Sequence, residues 1–77
     1  MSISPAQCRA ARGLLAITQD QLAKKSGVSK RAILSFESNK SQPIRANLAA
    51  IKSALEQLGV EFQDRDGVRR IEDKGNL

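Results

Sequence analysis

Histidine, tryptophan and tyrosine are missing from this chain of 77 residues, cysteine occurs once, and two phenylalanines are its only aromatic residues. Each shortage removes a class of function. Without His or a cysteine pair, the ordinary zinc ligand sets cannot be assembled, and no metal site is expected. The body also lacks clustered carboxylates and a glycine-rich phosphate loop. General-base catalysis and nucleotide chemistry therefore have no obvious residues, so no enzyme, cofactor or small-molecule ligand is expected. Cys8 alone cannot form an internal disulfide; it suits a reducing cytoplasm and reads as a small buried hydrophobe. Scarce aromatics argue against stacking on RNA bases. No apolar run approaches the roughly 18–20 residues that span a bilayer. Residues 1–5 show neither a basic leader nor an apolar stretch, so the expected location is cytoplasmic, without membrane contact.

The charge that is present is unevenly spread. The formal net charge is +5, but residues 1–55 carry nine Lys and Arg against two acids, Asp20 and Glu37, whereas residues 56–77 carry four against six. A basic body followed by a mildly acidic tail suits a polyanion-binding part and a second segment with another task. With apolar content at 40% and aromatics at 3%, the core must be aliphatic, which favours closely packed helices.

Four helix starts have a mechanism. Ser4-Pro5 supplies an N-cap and a proline at the first helical position, and Gln7 completes a capping box. The first helix should run to about Leu15 with Cys8, Ala11 and Leu15 on one stripe. Thr18 and Gln21 repeat the capping box for a short second helix that ends near Ser26, where Gly27 provides a left-handed cap. Ser29 caps a third helix carrying Ile33 and Phe36 inward and stopping near Asn39. A fourth helix from about Arg45 should face inward with Leu48, Ile51, Leu55 and Leu58, and end at Gly59. Beyond it, Val60-Glu61-Phe62 alternates, Asp66-Gly67 is turn material, and residues 68–71 read as a second strand. A two-residue turn would set Phe62 opposite Ile71 and Asp64 opposite Arg69. Residues 1–59 are thus expected to form the main domain and residues 60–77 a hairpin and frayed tail.

Residues 19–38 hold the informative spacing. Ala23 lies where two short helices crossing at about 90–120° must approach closely, Gly27 supplies the turn, and Ile33 packs back on Ala23. Thr18-Gln19-Asp20-Gln21-Leu22-Ala23, Ser26-Gly27-Val28-Ser29, Ile33 and Phe36-Glu37 together resemble the helix-turn-helix of the phage Cro and repressor family, the XRE type. The resemblance covers residues 5–58. It implies a mainly α, four-to-five-helix, lambda-repressor-like DNA-binding domain, to which this chain adds a short C-terminal β-hairpin.

Arg12 and Glu37 fall on the inward stripes of the first and third helices, where a charge is costly unless paired. They are the obvious partners, and similar repressors join these helices with such a pair. With Ile33, Phe36 and Glu37 inward, Arg31, Ser35 and Ser38 point outward, flanked by Lys30 and Leu34. Arg and Lys can donate to guanine, Ser is versatile, and Leu can touch a thymine methyl. These five are the expected base contacts; the plain alternative is a solvated helix face. Gln19 at the start of the second helix, then Asn39, Lys40, Ser41 and Arg45, are the expected phosphate contacts.

The function this implies is sequence-specific transcriptional regulation, by a repressor or autoregulator of a phage, mobile-element, restriction or toxin–antitoxin locus. The expected partner is double-stranded DNA with a palindromic operator, bound by a homodimer. A lone hairpin is marginal in water, and Val60, Phe62, Val68 and Ile71 are the expected dimer contacts. The alternative is a protein-interaction module that keeps the fold, such as an antitoxin acting on a partner protein.

Overall fold

The computed structural model describes residues 2–71, and the stretch expected to fray, 72–77, lies outside them. Four helices, α1 (Pro5–Leu15), α2 (Gln19–Ser26), α3 (Lys30–Glu37) and α4 (Arg45–Leu58), precede strands β1 (Val60–Phe62) and β2 (Val68–Arg70). The starts of the first three helices follow from their caps. Ser4 Oγ accepts from Gln7 N–H while Gln7 Oε1 accepts from Ser4 N–H, and Thr18 and Gln21 repeat the exchange. Ser29 Oγ accepts from Ala32 N–H. Together these side chains satisfy N–H groups that a helix start otherwise leaves open.

The ends are set by left-handed residues. Gly27 closes α2 at φ 78°, with open space where a Cβ would stand, so backbone conformation rather than crowding requires glycine there. Gly59 closes α4 at φ 119°. Ala16 adopts φ 58° at the end of α1, an unusual burden for a residue with a Cβ. Asn39 holds φ 63° just past α3.

All four helices and β1 contribute to one core, in which Phe36, Leu22, Ile33, Ile51 and Leu55 are sealed from solvent together with Cys8 and Val60. Each of the large side chains contributes about 1.5–3 kcal/mol by leaving water. Leu58 departs from expectation and is exposed. It is the last helical residue, and the reversal at Gly59 sends Val60 into the interior instead.

The hairpin also departs from its expected register. Val60 pairs with Arg70, Glu61 with Arg69 and Phe62 with Val68. Asp66-Gly67 is therefore not a two-residue turn; residues 63–67 form a longer loop. Gln63 N–H donates to Gly67 O at 2.9 Å, and Arg65 takes the left-handed conformation at φ 65°. Two forces select this register. It places Phe62 and Val68 together against the core, and it presents the Gln63 and Gly67 carbonyls to Gln7 Nε2, which donates to them at 2.9 and 2.7 Å. The hairpin thus lies on its own α1 and α4. Glu61 and Arg69 pair on the outer face at 2.7 Å.

Candidate DNA-binding surface

α3 has two unlike faces. Inward, Ile33, Phe36 and Glu37 are buried; outward, Lys30, Arg31 and Ser38 are exposed, and Leu34 keeps 52% of its surface in water. Ser35 is half-buried at the edge. Four of the five expected base readers therefore share an open face, and the fifth borders it.

What holds this face in place is a charge network behind it. The Arg12 guanidinium donates from Nη2 to Glu37 Oε1 and from Nε to Glu37 Oε2, both at 2.7 Å, the two-pronged geometry in which Arg pairs best with a carboxylate. Gln19 Nε2 donates to Oε1 at 3.0 Å and the Cys8 thiol to Oε2 at 3.1 Å. Arg9 adds a bond from Nη1 to the Glu37 carbonyl, at the end of α3. One carboxylate, only 4% exposed, thus gathers donors from α1 and α2 onto α3. Burial pushes the Glu37 carboxyl up, but the bonds from Arg12, Cys8 and Gln19 outweigh it and hold it below the usual carboxylate range. Burial and the neighbouring Glu37 charge push the Cys8 thiol the other way, well above its ordinary value, so it stays protonated and serves as a donor.

The expected Arg12–Glu37 pair is present. Sequence reasoning missed the parts of Cys8, Arg9 and Gln19 in it. Cys8 carried a usable signal: it sits one turn before Arg12 on the same buried stripe.

The expected phosphate contacts divide by what their neighbours leave free. Among the described residues, the backbone N–H groups of Gln19 and Asp20, at the start of α2, have no protein acceptor, so they remain available to an anion. The Gln19 side chain is committed to Glu37 through one N–H, leaving its other N–H and its oxygen free. Lys40 and Ser41 are exposed, but both backbone N–H groups donate to Ser35 O, at 2.8 and 3.3 Å. Only their side chains are left free to meet an anion. Asn39 and Arg45 are exposed. α4 starts without a side-chain cap, so its first-turn N–H groups add to the positive potential near Arg45. Ser38 Oγ donates to Leu34 O at 2.8 Å, which leaves it free to accept rather than to donate.

The expected dimer contacts are placed less favourably. Val60 is 1% exposed and belongs to its own subunit's core, so its side chain is not offered to a partner. Phe62, Val68 and Ile71 are half-buried, with Phe62 and Val68 packed against that core.

Two short helices joined by a tight glycine turn, the second buttressed from behind and basic in front, define a helix-turn-helix DNA-binding domain. The chain matches the helix-turn-helix family over residues 9–64, a span that includes β1, and it belongs to that family, in its Cro/repressor or XRE form. It is accordingly a DNA-binding transcription regulator. No individual curated protein matches it. Among the described residues, no helix is long and apolar enough to cross a membrane.

Proposed function

We propose that this regulator is sequence-specific and non-enzymatic. It represses or autoregulates a phage, mobile-element, restriction or toxin–antitoxin locus, acting in the cytoplasm as a homodimer on a palindromic operator. α3 enters the major groove, with Lys30, Arg31, Leu34, Ser35 and Ser38 at base edges. Gln19, Asn39, Lys40, Ser41 and Arg45 hold the flanking phosphates. One observation carries this reading: the outer face of α3 is open and basic while its inner face is locked by Glu37. A module of this size reads only a few base pairs, so two modules one helical turn apart supply the specificity. Phe62, Val68 and Ile71 remain the hairpin side chains with surface to offer a second copy.

Selection of bound duplexes from a random pool tests the proposal. A palindromic consensus is expected, with binding that falls with salt at a log–log slope of about −5 to −8. Arg31→Ala should relax preference at one position, whereas Lys40→Ala should weaken all sequences alike. A chain that selects no sequence, yet captures a protein through the exposed Leu34 and Ile44, would favour the interaction-module alternative.

A further inference from the structure

Asp20 is out of place on a surface that meets DNA. Residues 1–55 contain only two acids, and Glu37 is buried against Arg12, which leaves Asp20 as the one exposed carboxylate in that part of the chain. It occupies the first turn of α2, beside the N–H groups expected to meet a phosphate, where a negative charge repels the backbone it approaches. Its Oδ1 lies 3.4 Å from Nζ of Lys30, the first residue of α3, and the two side chains keep 67% and 56% of their surface in water. A pair this exposed adds little to stability. Both residues border the groove that Arg12, Ile17, Thr18 and Gln19 also line, at the meeting point of α2 and α3.

We propose that Asp20 is a positioning residue that determines specificity through Lys30. This rests on the reading that α3 enters the major groove. An ammonium has three donors on a flexible stem; left alone, it swings to any phosphate and strengthens binding to every duplex. The Asp20 carboxylate, 3.4 Å away, draws the ammonium to the meeting point of α2 and α3, beside the reading face, where guanine O6 and N7 can accept from it. The carboxylate also weakens binding wherever Lys30 finds no base to read. Asp20 thereby lowers affinity for wrong sequences more than for the right one.

The test is Asp20→Asn in the full chain, which keeps the shape and removes the charge. Fluorescence anisotropy would compare the duplex that the unsubstituted chain selects from a random pool with a scrambled duplex of the same composition, over a salt series. Scrambled binding should tighten about tenfold for two modules, and selected binding by less than about threefold. The salt slope on scrambled DNA should steepen by about one per module as Lys30 joins the phosphates. In a Lys30→Met background, Asp20→Asn should leave the ratio between the two duplexes unchanged. Equal tightening of both duplexes, an unaltered salt slope, or a ratio that falls without Lys30 would each overturn the positioning role. If the unsubstituted chain selects no sequence, the DNA-reading proposal fails first and takes this inference with it.

Discussion

α1 is the anchor for two different attachments, each made by one buried polar side chain. Towards α3 the attachment is ionic: Glu37 receives Arg12, Cys8 and Gln19. Towards the hairpin it is neutral: Gln7, 2% exposed, donates to the Gln63 and Gly67 carbonyls. The ionic joint is strong in one protonation state and leaves a stranded charge when a partner is lost. The neutral joint is weaker but indifferent to pH. The chain therefore fixes α3 with charge and fixes its tail with an amide.

The comparison breaks most readily at Arg12. Arg12→Ala leaves the buried Glu37 carboxyl with only Cys8 and Gln19 as side-chain donors, and should cost about 3–5 kcal/mol in urea unfolding at neutral pH. The reverse substitution, Glu37→Ala, should cost less, because Arg12 is 21% exposed and can turn to water. Next comes Gln7→Ala, which takes the Gln63 carbonyl's side-chain donor, leaves Gly67 O with only Gln63 N–H, and should cost about 1–3 kcal/mol, with loosening at the hairpin and at the first turn of α1. A loss equal to that of Arg12→Ala would erase the distinction between the joints.

Acid sharpens the same contrast. The Glu37 carboxyl is held below its ordinary value in the folded chain. Its contribution is therefore complete above the usual carboxylate range and disappears as pH falls through the depressed folded value. Thermal unfolding followed from pH 7 downward should show this loss, and Glu37→Gln should flatten that part of the profile. Gln7→Ala should shift the curve without changing its shape. The smallest effect belongs to Asp66→Ala. Its carboxylate accepts from Ser4 Oγ at 2.7 Å, but in an exposed position, and the loss should stay within about 1 kcal/mol by the same unfolding measurement.

The readable parts of this chain were those encoded within a few residues. Ser4/Gln7 and Thr18/Gln21 announce helix starts because both partners of each box lie three apart, and Gly27 announces a turn by itself. The Arg12–Glu37 pair was also legible, although 25 residues separate its members, because each is a charge on an otherwise apolar stripe. The hairpin register was not. Asp66-Gly67 is a strong local turn signal, and it lost to a contact that only the folded chain supplies, the reach of Gln7 across 60 residues to Gly67. Even so, Gln7 lies four residues before Ala11 on the buried side of α1, and an amide on such a stripe needs a partner elsewhere. Asp20 and Lys30 were each read alone; their approach depends on how α2 and α3 cross.

The two ends of the Gln7 amide serve different structures. Its oxygen closes the first turn of α1 by accepting from Ser4 N–H, while its nitrogen holds the loop between β1 and β2. Unwinding that turn releases the loop, and lifting the loop frees the amide that steadies the turn. The beginning of the chain and its tail should thus behave in native-state hydrogen exchange as one opening unit, whose amides share a single free energy despite lying at opposite ends of the sequence.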